Sequence, residues 1–488
     1  MSRRLPRPDE TSPPPGPFMG RGRDGVSRPM PLPPVRLQGD MTGSGVARPS
    51  QPVGPPDKSS SVFGQSGVKR VAPASAEAMQ MIDDIIDRRD VAVVFQAIFD
   101  ATDGQVVGFE SLLRGPPGPL QAPLPLLAAA HARGRGGELD WVGRAAAFQT
   151  MLDAHLPASL SLFVNIDPES LLEPCPEDLQ DVIWAAQSGL RVFVEITEMM
   201  LLREPVRVLQ SVMRARKDGW GIALDNIGYG AMGLALLPVI EPDVLKLDRQ
   251  LLAEGTGLAS AAIAAASRQR FHTGASLMVE RFEDDGTVPL AQALGVGFRQ
   301  GRALAAEGPL PDTLPYPRNP VPLLKHAEGA GRAPWDVLMD HGASTTQTMS
   351  EAGVTSIVRN LISAAFAGQE APVVALILPE GQLRDAQSAS VYRMLLARSP
   401  LQILLGPSAS MQDGWRAWGV ELPADHPWLS TLTIVAVSGS AAVSLAARPL
   451  DDRDPNGHHE LVLSHDLGTA LAALREILNL CDAHSGAH

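Results

Sequence analysis

Seven short apolar runs, each closed by one polar side chain able to bind a metal ion or its water, constrain this 488-residue chain more than any other feature. They are VVGF before Glu110, LSLFV before Asn165, RVFV before Glu195, GIAL before Asp225, DVL before Lys246, SLMV before Glu280 and GVGFR before Gln300. One polar group capping a buried strand seldom serves packing, because a buried polar atom without a partner costs free energy. Seven of them, separated by helix-length connections, predict a ring of functional groups at the carboxyl end of a barrel of parallel strands.

The spacing between the runs supports that reading. Val91 to Ile98 and Gln105 to Leu113 flank Ala101-Thr102-Asp103-Gly104, a turn too short for a parallel crossover, so the first two strands should form an antiparallel hairpin. A helix begins near Ser75, a candidate N-cap, with Met79, Ile82, Ile85 and Ile86 on one face. Helical patterns at Leu139 to Ala154, Asp178 to Ser188, Arg203 to Lys217, Ala231 to Pro238, Gly257 to Gln269 and Thr287 to Leu294 then alternate with the strands. The expected fold is α/β: a TIM-like (β/α)8 barrel over residues 78–318 with one antiparallel strand, closed by the proline-bearing segment Gly308 to Pro322.

Residues 330–482 change pattern. A helix near Val354 to Phe366, strand-like runs at Val373, Gln402, Leu432, Ala442 and Glu460, and a closing helix from Leu467 predict a smaller mixed α/β domain. Residues 1–75 are rich in Pro, Gly and Arg with little apolar periodicity and are expected to be a disordered tail. That tail carries about +6 of charge against −13 for the whole chain, leaving the remainder strongly acidic, so no nucleic acid polymer is expected as a partner of the folded part. Two cysteines, Cys175 and Cys481, give neither a disulfide framework nor a zinc spacing. No run reaches the ~20 apolar residues of a membrane span, and no signal peptide precedes the tail, so the expected location is the cytoplasm.

The ring itself suggests chemistry. Glu110, Asn165, Glu195 and Asp225 offer hard oxygen donors suited to Mg2+ or Mn2+, and no histidine or cysteine joins them. This favours phosphate-ester chemistry, in which an ion activates water. Lys246 is one of only five lysines and would orient water or offset phosphate charge, while Arg114, one helical turn beyond Glu110, would grip a phosphate. Asp248 is equally well read as a helix cap or as a supporting acid. His458, His459 and His465 read as surface turn residues, and Trp415, Trp418 and Trp428 as packing aromatics.

Read together, ESLLR (110–114), FVNID (163–167), VEITE (194–198), LDNIG (224–228), PDVLKLDR (242–249), VERFE (279–283) and Gln300-Gly301 resemble the EAL domains, over residues 78–312. The resemblance implies hydrolysis of cyclic di-GMP to linear pGpG with two Mg2+ or Mn2+ ions. Carried over position by position, it implies that Glu110, Asn165, Glu195 and Asp225 hold one ion. Lys246, Glu280 and Gln300 would order the second ion and its water, Glu198 and Glu283 would support the ring, and Gln96 and Arg114 would contact the dinucleotide. It also implies a homodimer through the barrel face near the Asp225 loop. This chain departs from the family's paired aspartates, carrying Asn226 after Asp225, and has Arg281 where the family usually has glycine. Asn226 offers an oxygen but no charge and accepts no proton. The prediction is therefore either a slow phosphodiesterase or a catalytically inactive receptor of cyclic di-GMP. A third outcome is a protein-interaction module.

The carboxyl-terminal stretches RMLLARSPLQILLG, VELPADHPWLSTLTIVAVS and LVLSHDLGTALAALREIL resemble the DICT sensory domain, whose ligand here is not defined by any residue in view.

Overall fold

The computed structural model describes residues 76–485 apart from 168–169, 171–172, 229, 254, 284–285, 328, 342–345, 366–370, 380–398, 408–415, 440 and 451–456. The tail 1–75, Ser75, Tyr229 and Trp415 lie outside the described residues. The first amphipathic segment forms α1 (Ala76–Asp87), with Ile82, Ile85 and Ile86 buried among Leu126, Ala129 and Leu139. Strands β1 (Ala92–Asp100) and β2 (Val106–Arg114) pair antiparallel. Their turn is held by the Asp100 carboxylate, which accepts the Thr102 N–H at 2.6 Å, and by Gly104 at φ +69°.

Six further strands complete a closed barrel: β3 (Ser161–Asn165), β4 (Arg191–Thr197), β5 (Gly221–Asp225), β6 (Val244–Asp248), β7 (Ser276–Glu280) and β8 (Phe298–Arg299). From β2 to β8 every neighbour is parallel, and β1 is antiparallel to both β2 and β8. The connecting helices are α2 (Pro123–Arg133), α3 (Gly136–Asp153), α4 (Gln180–Gly189), α5 (Glu198–Arg203), α6 (Pro205–Lys217), α7 (Ala231–Ile240), α8 (Arg249–Ala253), α9 (Gly257–Thr273) and α10 (Val288–Ala293). Three of these, α2, α5 and α8, went unread in the sequence. Two span six residues or fewer, too little for a 3.6-residue period to register, and α2 is opened by Pro123 without a side-chain cap.

The barrel interior is filled by Ile98, Val107, Phe163, Phe193 and Met278, with Val321 closing it near the strand starts. Phe163 and Phe193 stack at 4.8 Å between ring centroids. Arg191, the first residue of β4, donates to the Val321 carbonyl, and Gly308 pairs with Phe95, so the proline-bearing segment lies across the barrel and along its hairpin. 

The second sheet has the order β12-β11-β10-β13-β14-β15-β9. Its strands are β9 (Gln347–Ser350), β10 (Val373–Ile377), β11 (Gln402–Gly406), β12 (Ala417–Glu421), β13 (Leu432–Val437), β14 (Ala442–Pro449) and β15 (His458–Ser464). Among the described residues its helices are α11 (Pro334–Asp340), α12 (Glu351–Ala365) and α13 (Leu467–Ser485). Alternate residues of β10 face opposite clusters: Val373, Ala375 and Ile377 join α13, whereas Val374 and Leu376 join Val354 and Val358 of α12. Strand β9 was not anticipated, since QTMS lacks apolar alternation, nor was β12, interrupted by Gly419.

The stacked ring pair sets a prediction. Phe193→Ala should cost about 3–5 kcal/mol through the cavity it leaves, read as a lowered urea midpoint by circular dichroism. Trp184→Ala, at a side chain 73% exposed on α4, should move the midpoint by no more than ~0.5 kcal/mol.

Candidate active site

The seven polar residues do converge on one barrel rim, although not all of them cap a strand. Asn165, Asp225 and Glu280 are the last residues of β3, β5 and β7, and Gln300 follows β8. Glu110, Glu195 and Lys246 lie inside β2, β4 and β6. β2 runs on past Glu110 because its partner β1 pairs with it as far as Ala92 opposite Arg114. Arg114 is therefore four residues along a strand from Glu110, on the same face, and not one helical turn away as the sequence suggested. Its guanidinium pairs with Glu307 at 2.8 Å.

Lys246 is the centre of the arrangement. Fully buried, its Nζ lies 2.6 Å from Glu195 Oε1, 2.5 Å from Glu280 Oε1 and 3.3 Å from Glu110 Oε2. Gln300 Nε2 donates to Glu110 at 2.8 Å and to Gln96 Oε1 at 3.2 Å, and Gln96 in turn donates to the Ala305 carbonyl. Asn165 Nδ2 donates to Glu110 at 3.3 Å. Register produces this convergence: Gln96 lies opposite Glu110, Asn165 beside Glu195, and Asp248 beside Glu280.

The supporting residues divide. Glu198, 1% exposed, accepts the N–H groups of Gly228 and Gly230 and so holds the loop after Asp225. Gly233 was not singled out by sequence reading, yet a Cβ there would collide with the Glu198 carboxylate. Asp248 accepts the Gln250 N–H at 2.7 Å, capping α8, and also meets the Arg281 guanidinium. Glu283 does not reach the ring: its side chain is 59% exposed and pairs with Arg249 at 2.7 Å.

Asn226 adopts φ +56°, and both its backbone N–H and its Nδ2 donate to the Asp225 carboxylate, at 2.7 and 2.6 Å. Both Asp225 oxygens are thus engaged by the neighbouring residue.

Electrostatics follow from crowding four carboxylates, one buried and three partly buried, beside one ammonium. Burial, then the charge of Glu110, pushes the Glu195 carboxyl well above its ordinary value, and burial with the charge of Asp225 does the same to Glu280. For Glu110, the Lys246 charge and the Gln300 and Asn165 hydrogen bonds outweigh burial and hold the carboxyl low. Burial would lower Lys246, but Glu110, Glu195 and Glu280 together raise it well above its usual range.

The donor chemistry fits a hard divalent cation. The cluster has more buried negative than positive charge, and two buried oxygens, Glu195 Oε2 and Gln300 Oε1, have no hydrogen-bond partner. Among the described residues no three acidic, histidine or cysteine side chains converge at ligating geometry, since the Lys246 ammonium sits between the carboxylates. A second ion fits less well, because Asn226 contributes no charge and engages both Asp225 oxygens.

Residues 79–307 match the model of the EAL domain. The chain is 30% identical over 191 residues to an uncharacterized signaling protein of Caulobacter vibrioides, covering 36% of this chain and 23% of that protein. It is 29% identical over 178 residues to the probable cyclic di-GMP phosphodiesterase PdeB of Escherichia coli, covering 35% of this chain and 34% of that one. The chain thus spans about a third or less of these curated relatives. Among solved structures, the manganese and cyclic di-GMP complex of Klebsiella pneumoniae BlrP1 is 26% identical with a TM-score of 0.40, covering 45% of this chain and 56% of that one. The Xanthomonas citri FimX EAL domain in complex with cyclic di-GMP is 19% identical with a TM-score of 0.43, covering 49% of this chain and 96% of that one.

Lys246→Met leaves Glu195 and Glu280 buried without their counter-charge and should cost about 3–5 kcal/mol. Thermal unfolding should show a lowered Tm that millimolar Mn2+ partly restores, the ion replacing the lost positive charge. An unchanged Tm would show that the lysine does not hold the carboxylates together.

Proposed function

We propose that the EAL barrel binds cyclic di-GMP and cleaves it slowly to linear pGpG with a divalent cation, Mg2+ or Mn2+. The observation that carries this reading is the buried cluster of Glu110, Glu195, Asp225 and Glu280 around Lys246, with its surplus negative charge and two unsatisfied oxygens. The relative named as a probable cyclic di-GMP phosphodiesterase supplies the ligand class. When bound, a cation held by Glu110, Asn165, Glu195 and Asp225 would supply charge neutralisation and a water of lowered pKa.

The chain's own groups do the rest. Arg114 and Gln96 stand at the rim to hold a phosphate and a polar edge of the dinucleotide, Arg114 exchanging its Glu307 partner for the ligand. Lys246 offsets charge building on the phosphoryl oxygens, while Glu280 and Gln300 keep the ammonium and Glu110 in place. Water adds to phosphorus, one P–O3′ bond breaks, and the 3′ oxygen leaves as a hydroxyl after gaining a proton. Asn226 has no basic oxygen to take the proton lost by the water, and a missing base typically costs ~10²- to 10⁴-fold in rate.

A second reading, a receptor that binds without cleaving, is favoured by one feature: Asn226 donates to both Asp225 oxygens and competes with any ion there. In either reading the C-terminal sheet, with its resemblance to the DICT domain, acts as a sensory module on the barrel.

One paired assay separates these readings. Wild type and Asn226→Asp are compared for cyclic di-GMP binding by calorimetry in Ca2+ and for pGpG release by chromatography in Mn2+. Binding should agree within about threefold while the aspartate raises turnover ~10²-fold or more. Equal, measurable turnover in both would clear Asn226 of responsibility. Binding with no pGpG from wild type would establish the receptor, and no binding by either protein would remove both readings.

A further inference from the structure

The segment that follows β8 brings two charges back to the rim. Gln300 is fixed by its N–H to the Val279 carbonyl at 2.9 Å, and its own carbonyl takes the Phe282 N–H at 2.8 Å. The chain then turns tightly, the Gly301 carbonyl accepting the N–H groups of Leu304 and Ala305 at 3.0 Å, and it rejoins the barrel where Gly308 pairs with Phe95 of β1. A side chain at Gly301 would collide with the backbone of Phe282, 2.6 Å from the Cβ position. Both ends of 300–308 are thus anchored to strands, and Arg302 and Glu307 are carried on a path set by backbone hydrogen bonds.

Three charged side chains meet there. The Glu307 carboxylate turns Oε2 to Arg114 Nη2 at 2.8 Å and Oε1 to Arg302 Nη2 at 3.5 Å. Arg114 is oriented by its other terminal nitrogen, Nη1, which donates to the Leu113 carbonyl at 2.8 Å. Side-chain exposure is 18% for Arg114, 34% for Glu307 and 80% for Arg302, so all three are open to a ligand arriving at the rim. Two guanidiniums bridged by one carboxylate keep a surplus positive charge. Solvent screens such a pair and the carboxylate is held weakly, whereas a phosphate offers oxygens that a guanidinium fork can match two at a time.

We propose that Arg114 and Arg302 together cradle one phosphate of the dinucleotide, and that Glu307 is the carboxylate that occupies this cradle until the phosphate displaces it. The inference rests on the reading of the rim as a cyclic di-GMP site and adds Arg302 to it as a binding residue. The cradle adjoins the ring from both sides: Arg114 shares a face of β2 with Glu110, and Gln300, two residues before Arg302, donates to Glu110. Displacement leaves no charge stranded, because Glu307 is already partly exposed and can turn to water. Two anions then compete for the same two cations, so Glu307 tunes the ligand concentration at which the barrel fills.

The test titrates the full chain with cyclic di-GMP in Ca2+ by calorimetry, at a salt concentration where the Debye length is below ~8 Å and long-range attraction is largely screened. Arg302→Ala should weaken binding roughly fivefold or more, and Arg302→Lys, which keeps the charge without the fork, should recover part of the loss. Glu307→Gln, which empties the cradle, should tighten binding roughly threefold or more. Arg359→Ala, the same loss of charge at an exposed position on α12, should stay within about twofold of wild type. Wild-type affinity in Arg302→Ala, or unchanged or weaker binding in Glu307→Gln, would overturn the inference and leave the reading of the rim standing. No binding by either wild type or Glu307→Gln would overturn that reading and the inference with it.

Discussion

Placing one buried ammonium group among four carboxylates, of which Glu195 is itself buried, is the constraint on which the barrel rim depends. Like charges in a medium of low polarisability repel strongly, and moving them out of water is itself costly, so the carboxylates can share a rim only if something cationic lies among them. Lys246 does this from within β6, fully buried on the inner side of the strand, while Leu245 and Leu247 on either side pack on the opposite face. The same chain segment is pinned at its other end by Asp243, whose carboxylate accepts the N–H groups of Ile222 and Leu324. β6 thus joins the barrel floor to the charged rim, and the floor positions the lysine indirectly. One ammonium still leaves an excess of negative charge, which is why the rim is chemically suited to a hard cation.

How much of this could be read in the sequence depends on whether a residue's role is set by local pattern or by distant pairing. The strand order, the reversed first strand and the ring membership were legible, because buried parallel strands read as apolar runs and a four-residue turn excludes a crossover. The position of Glu110 within its strand was not, since the length of β2 is set by pairing with β1 and not by its own residues. Glu198 and Glu283 looked alike in sequence, each three residues after a ring acid. One is buried under the Asp225 loop and the other is turned to solvent beside Arg249, a difference decided by which loop packs over each. Arg216 Nε and Trp220 Nε1, each buried without an acceptor, carry no sequence signal at all, because their burial is set by packing between distant segments.

Two backbone positions at the rim share an unusual conformation. Asn226 and Arg281 directly follow ring acids, and both have positive φ. For asparagine this costs little, but for arginine the left-handed region is disfavoured by its Cβ. At each position the strand ends and the chain must turn sharply, so the acid stays on the rim while the next residue leaves it. The chain uses both positions to place a polar side chain next to a carboxylate, Asn226 donating to Asp225 and Arg281 pairing with Asp248. The Asn226 donors engage an acid that a cation would otherwise claim, and the rim is accordingly less demanding of a second ion than of a first.

Helix α7 ties this rim to the rest of the molecule. It starts just after the loop that Glu198 clamps, and ten residues later it ends at Glu241, whose backbone is left-handed at φ +46°. There Arg216 of α6 takes the last carbonyls and Arg475 of α13 takes the Glu241 carboxylate. A helix of that length spans about 15 Å and behaves as a short strut. Between its start and Asp225 lies only the short loop that Glu198 holds, and Pro238 sits inside the helix. The ion pair from Arg475 and the carbonyl contacts from Arg216 thus meet at one end of α7, and the loop after Asp225 meets the other.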